Sequence, residues 1–167
     1  MNYKPSFYFI LKNKLQRKSF LYEFYFRGKK TLDVGCGEGE FLKNNKELIH
    51  GVDLNERAIL SLFENGFKVK VGNMNSLPYS DNEFEAIHSH NVIEHLNIED
   101  AYSMLLEIYR VLSPGGLIVI SSELVTCKFW HTFGHVKPYP PEALIKLLRS
   151  ESREKFEGIS GLEPIGL

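Results

Sequence analysis

From Thr31 onward the chain switches repeatedly between short apolar runs and stretches whose apolar residues recur at helical spacing, and this alternation limits the fold more than any other feature of its 167 residues. Thr31–Val34 reads as a strand ending in a glycine cluster, and residues 41–48 follow with helical spacing and polar gaps. Residues 48–52 read as a second strand, Glu56–Glu64 as a second helix and Gly66 as its stop before a strand at Lys68–Val71. A fourth strand is expected at 84–89. A long amphipathic helix is expected at 98–112, with Met104, Leu105, Ile108 and Leu112 on one stripe, then a Ser-Pro-Gly-Gly turn and a fifth strand at 116–121. Residues 142–148 add a helix, and 155–159 are the last strand candidate. Strands separated by helices need crossover connections, which are right-handed and give parallel pairing. The expected fold is therefore α/β: a Rossmann-like, doubly wound, mostly parallel sheet with helices on both faces and a reduced antiparallel C-terminal edge.

The length suits one domain with one real core, and 43% hydrophobic with 25% charged residues excludes a disordered or fibrous chain. Cys36 and Cys127 form no CxxC pair, which argues against a disulfide framework or structural zinc and for a reducing cytoplasm. Residues 1–30 hold eight Lys/Arg and one acidic residue, Glu23, a net +7, so the remainder carries −8. This basic start is also aromatic. Its expected form is a helical segment packed on a domain at 31–167, with its lysines in water and a face suited to weak contact with a membrane surface. The apolar run from Phe7 is broken by Lys12, too short for a membrane span or a signal-peptide core.

Doubly wound sheets bind ligands beyond the carboxyl ends of their strands. The unusual residues lie there. After the first strand comes Asp33-Val-Gly35-Cys36-Gly37-Glu-Gly39, whose glycines permit a sharp turn and close backbone approach to a ligand. Asp53 follows the second strand eighteen positions after Gly35, near the spacing at which a carboxylate meets a ribose hydroxyl pair. The turn is GxGxG rather than the dinucleotide GxGxxG, and Glu40 stands where a pyrophosphate would rest. A carboxylate there repels a pyrophosphate but not a ligand with a zwitterionic tail, so NAD is the minor alternative.

At this point the residues resemble a known family, the class I S-adenosylmethionine-dependent methyltransferases and in particular the type 11 small methyltransferases, over about residues 30–140. LDVGCGEGEFL, GVDLNERAI, GNMNSLPYSDNEFEAI, HSHNVIEHL and EIYRVLSPGGLIVIS are similar, in order, to five of its motifs. The resemblance implies S-adenosylmethionine as cofactor. It places Asp33, Gly35 and Gly37 on the methionine end, with Cys36 and Gly39 in the same turn, and Asp53 on both ribose hydroxyls with Leu54 beside it. Where the family usually has an aspartate accepting from the adenine amine, this chain has Asn73, whose amide oxygen accepts without charge assistance. Met74 is expected on the adenine, and Asn91 on the cofactor from the fourth motif.

Methyl transfer asks for alignment and, where the acceptor needs it, a base. His90, His95 and His135 are the candidates. His135 lies in FWHTFGHVKPY, a long stretch after the fifth strand that reads as a lid, and Glu123, Trp130, His131 and Tyr139 are the expected substrate-side residues. His88, His90 and His95 have no standard zinc spacing. Some ubiquinone-pathway O-methyltransferases carry a metal on E-x-x-E-H, but Asn91 replaces the first glutamate here, so no metal is expected. There is no (D/N)PP(Y/F) segment and no Pro-Cys pair of the kinds that DNA methyltransferases resemble, and the acidic balance after residue 30 opposes nucleic acid. The expected acceptor is a small molecule or a sugar-containing one, with oxygen favoured, served by a monomer or homodimer. A catalytically silent protein of the same fold that binds cofactor or a partner is the alternative.

Overall fold

The computed structural model describes residues 6–11, 21–123, 126–148 and 163–164. Seven strands form one sheet: β1 Ser6–Leu11, β2 Thr31–Val34, β3 Ile49–Asp53, β4 Lys68–Val71, β5 Phe84–His90, β6 Leu112–Ser122 and β7 Glu163–Pro164, in the order β4-β3-β2-β5-β6-β1-β7. Every adjacent pair is parallel. The chain builds outward from β2 through β3 to β4, then returns to lay β5 on the other side of β2. Among the described residues three α-helices accompany the sheet, α1 Glu56–Glu64, α2 Ile98–Val111 and α3 Pro141–Leu148. The doubly wound α/β expectation holds.

The period-2 alternation of the strands divides the core in two. Leu32, Val34, Val52, Ile87, Ile118 and Ile120 pack on one face with Met104, Leu105 and Ile108 of α2 and Leu144 of α3. Ile49, Ala86, Leu117 and Val119 meet Ile59 and Leu62 of α1, with Phe26, Phe41 and Leu42, on the other. Side-chain caps start two helices. The Asn55 oxygen accepts from the Ala58 N–H (3.2 Å), and the Asn97 oxygen from the Asp100 N–H (2.8 Å).

Four expectations require correction. Ser6–Leu11 is a strand, not part of a helical segment; its five apolar and aromatic residues after Ser6 suit a strand, and pairing with β6 covers what would be an open sheet edge. The helical part of residues 1–30 that is described is one π-helical turn, Tyr22–Phe26, and residues 12–20 lie outside the described residues. Residues 41–48 contain only a 3-10 turn, Leu42–Asn44, because asparagine side chains take over the backbone: Asn45 Oδ1 accepts from the N–H groups of Glu47 and Leu48, and Asn44 Nδ2 donates to the Phe41 carbonyl. The sheet edge at β7 is parallel to β1, not antiparallel, and the strand expected at 155–159 lies outside the described residues. A smaller difference concerns the Ser-Pro-Gly-Gly turn. It is an excursion within β6, where pairing jumps from Phe84↔Leu112 to Ala86↔Leu117, with Gly115 at φ +79°.

The loop after β4 is tied to α2 by a charged staple. Glu107 accepts from the Leu77 N–H (2.7 Å) and from Arg110 (2.8 and 2.7 Å), while Arg110 donates to the carbonyls of Leu77 and Tyr79 and to Asp81. The Arg110 hydrogen bonds hold the Glu107 carboxyl below its ordinary range, helped by the Leu77 N–H against the opposing effect of burial. A depressed folded-state pKa means stability that is complete above the ordinary carboxyl range and lost as pH falls through the depressed value. Glu107→Gln should therefore cost about 1 kcal/mol in urea unfolding at neutral pH. The gap from the parent should close in acid; a gap that stays constant would count against the staple.

Candidate active site

The chain reverses its direction of sheet building beside β2, and a crevice opens there at the carboxyl ends of β2, β3 and β4. It is partly open to solvent and is lined by Val34, Gly35, Val52, Asp53, Leu54, Gly72 and Met74. The turn after β2 is held by the Val52 carbonyl, which accepts from the N–H groups of Gly35 (2.9 Å) and Cys36 (3.1 Å). Gly35, Gly37 and Gly39 all have positive φ (+75°, +50° and +75°). Two of them are tight: a Cβ on Gly35 would lie 2.3 Å from Val92 Cγ2, and one on Gly39 would lie 2.5 Å from Leu62 Cδ2. Nothing comes within 4 Å of a Cβ built on Gly37, so the turn presents its backbone to open space there. The Gly37 N–H donates to Asp53 Oδ2 (2.9 Å) and the Asn55 N–H to Asp53 Oδ1 (2.9 Å). The glycine turn and the carboxylate thus meet directly.

Other expected cofactor residues are placed less simply. Leu54 is exposed and Met74 half-buried on the crevice wall. Cys36 is buried, its thiol pushed up by burial and by Asp33 and Asp53, so it is a packing residue of the turn and not a thiolate. Asp33 is buried and does not line the crevice; its Oδ1 lies 2.6 Å from Nδ1 of His88, on the sheet face covered by Phe26 and Phe41. Asn73 lies outside the lining, and its Oδ1 accepts from the Asn75 N–H (2.9 Å), closing a local turn. Asn91 has φ +56° and donates its N–H to the Ser121 carbonyl.

The histidines form two groups. His90 Nδ1 lies 2.6 Å from Ser121 Oγ at the end of β5, its ring parallel to that of His88. His95 and His135 come together with ring centroids 5.0 Å apart, although one follows β5 and the other lies in the segment after β6. That segment packs on the turn Ile93–His95: Val136 and Lys137 donate their N–H groups to the Glu94 carbonyl, and Tyr139 donates its hydroxyl to the Leu96 carbonyl. Phe129 anchors it in the interior, while Trp130 and His131 are exposed. Glu123 sits at its start with its N–H toward Glu94 Oε1 (3.4 Å). Sequence reasoning did not foresee the partner of His88, the burial of the Glu94 carboxyl group, or any role for Asn75, whose buried Oδ1 has no hydrogen-bond partner among the described residues. Val34, Val52 and Gly72 line the crevice unannounced; lying at or next to the carboxyl ends of β2, β3 and β4, they follow from the parallel sheet once its order is known.

The family model for a methyltransferase domain matches residues 32–120, more than half of the chain. The chain belongs to the methyltransferase domain family. Among solved structures, a SAM dependent methyltransferase from Archaeoglobus fulgidus is similar with a TM-score of 0.67 and 31% identity, covering 76% of this chain and 63% of that one. A sterol 24-C-methyltransferase of Gibberella zeae is 34% identical over 112 residues, 59% of this chain and 29% of the relative. A probable tRNA methyltransferase of Mus musculus is 34% identical over 96 residues, 56% and 21% of the respective chains. This chain therefore spans less than a third of the length of these two curated relatives. S-adenosylmethionine is the cofactor that the family implies, and the crevice fits it. The space before Gly37 leaves room for a ligand where a Cβ on Gly35 or Gly39 would clash, the Asp53 carboxylate has oxygens able to accept from hydroxyls, and apolar Val34, Val52, Leu54 and Met74 suit a flat base.

Proposed function

We propose that this methyltransferase-family chain transfers a methyl group from S-adenosylmethionine to a small-molecule or sugar-containing acceptor, with oxygen the favoured atom, in a reducing cytoplasm. The meeting of the Gly37 N–H with the Asp53 carboxylate at 2.9 Å, beside an apolar crevice, carries the reading. Asp53 takes the ribose hydroxyls, Leu54 and Met74 the base, and the turn Gly35-Cys36-Gly37 the methionine end. Asp33, Gly39, Asn73 and Asn91 support these from behind. The sulfonium supplies an already activated methyl group. What is left to the protein is to align an acceptor oxygen with it and to receive that oxygen's proton as the new C–O bond replaces the C–S bond. One of His90, His95 and His135 receives that proton, and Glu123, Trp130, His131 and Tyr139 face the substrate. Both described cysteines are free, as suits a reducing compartment, and among the described residues no helix is long and apolar enough to cross a membrane.

The test is methyl transfer from labelled S-adenosylmethionine into fractionated metabolite extract, with total RNA as a parallel acceptor because one relative is named for tRNA. Label in the small-molecule fraction is expected. Label in RNA alone would overturn the acceptor class while keeping the transfer. Bound cofactor with no labelled product in either arm would overturn the activity in favour of a silent cofactor-binding protein.

A further inference from the structure

Glu94 and His95, on the turn after β5, face His135 of the segment after β6, so that one carboxylate oxygen and one nitrogen from each histidine lie within 4.8 Å of one another. We infer that these three side chains hold a divalent transition-metal ion of the zinc class. The hydrogen bonds of both rings engage Nδ1 and leave Nε2 bare. His95 Nδ1 is 2.8 Å from the Gly134 carbonyl and His135 Nδ1 is 2.7 Å from the Phe129 carbonyl. A carbonyl only accepts, so each Nδ1 carries a proton, and a ring that binds metal then does so through the lone pair of Nε2, the tautomer that a backbone carbonyl enforces on metal-binding histidines.

The third donor is a buried carboxyl group that a bound cation would suit. Glu94 is fully buried; its carboxylate accepts from Ser122 Oγ (3.0 Å) and the Glu123 N–H, and among the described residues no Lys or Arg pairs with it. Burying an ionised carboxylate is costly unless its charge is offset. Two backbone bonds to the Glu94 carbonyl fix the approach of the second segment, and Gly134 makes it close: a Cβ there would stand 3.3 Å from His95 Nδ1. Donors bonded to tetrahedral zinc at its usual lengths lie about 3.4 Å apart, so the three must draw in by at most about 1.4 Å, within reach of side-chain rotation. Two imidazoles and one carboxylate leave a further position open to solvent or to an acceptor. The ion would pin the lid segment to the carboxyl ends of β5 and β6, next to Val92, which packs on Gly35 of the crevice. It would also commit His95 and His135, leaving His90 as the proton acceptor.

Metal binding is measured without S-adenosylmethionine, so its failure is distinct from failure of the methyltransferase reading. The full chain, stripped with chelator, is titrated with Co²⁺ followed by visible d–d absorption, and with Zn²⁺ by calorimetry. One equivalent is expected, the cobalt bands being displaced by zinc. His95→Ala and His135→Ala should each weaken binding at least tenfold, and the neighbouring exposed His131→Ala should leave it unchanged. Because His135→Ala also removes a lid contact, the parent protein provides a second readout: bound Co²⁺ should shift the ring protons of His95 and His135 and not those of His50. Absence of a cobalt band at millimolar metal, a band that survives both substitutions, or shifts on other histidines alone would overturn the site.

Discussion

Replacing Asp53 by alanine should weaken S-adenosylmethionine binding about a hundredfold in a calorimetric titration while leaving the protein folded. An ionised carboxylate offers about four lone-pair sites, two on each oxygen. The structure uses one on each: Oδ2 accepts from the Gly37 N–H and Oδ1 from the Asn55 N–H. One site per oxygen is left, and two adjacent oxygens with one vacancy each match two adjacent hydroxyls of a ribose. Hydrogen bonds to a charged partner contribute roughly 1.5 kcal/mol or more each, so losing two costs about 3 kcal/mol, which is the hundredfold. Asp53 is only half-buried at the end of β3, so alanine there opens no cavity in either core cluster. Asp53→Asn gives the finer test: its single carbonyl oxygen can serve one hydroxyl, and its affinity should fall between those of the parent and the alanine variant. An alanine variant that binds as tightly as the parent would remove Asp53 from the site.

The same residue shows why part of the molecule can be read without a structure. Asp53 and the glycine turn are found by spacing because both sit where strands end, and strand ends follow from apolar runs that the periodicity marks clearly. β2 to β6, α1 and α2 stand within a few residues of their expected bounds for that reason. β1 was hidden because Ser6–Leu11 is too short for its pattern to distinguish strand from helix, and what decides it is the open edge of β6, a tertiary matter. The helix expected at 41–48 fails locally: Asn44 and Asn45 offer the backbone better partners than a helix does, an effect that apolar spacing does not register. Asn73 shows the same limit at the site, since a suitable acceptor oxygen is visible in sequence but its engagement by Asn75 is not. His88 and Glu94 were out of reach for a different reason. Pairing Asp33 with His88 requires the register of β2 on β5, and joining Glu94 to His135 requires the fold of a segment that lies beyond β6.

That register also sets the largest stability effect expected in the molecule. Asp33 and His88 are direct neighbours across β2 and β5, both are buried, and Phe41 stacks on the imidazole at 3.8 Å between centroids with Phe26 at its edge. Aromatic walls cannot solvate a carboxylate, so His88 is what satisfies it. His88→Ala strands the Asp33 charge and opens a space beneath Phe41, and should lower unfolding stability by about 3 to 5 kcal/mol. Asp33→Ala should cost a comparable amount by orphaning Nδ1. The double variant removes both partners and should cost much less than the sum, which a double-mutant cycle in urea reads directly. Asp33→Asn keeps an oxygen for Nδ1 and should lose only about 1 kcal/mol. That variant separates structure from ligand binding: with the fold nearly intact, any remaining loss of S-adenosylmethionine affinity measures the charge of Asp33 acting on the methionine amine through the turn. Additive single-variant costs would show instead that the two side chains are buried side by side without stabilising one another.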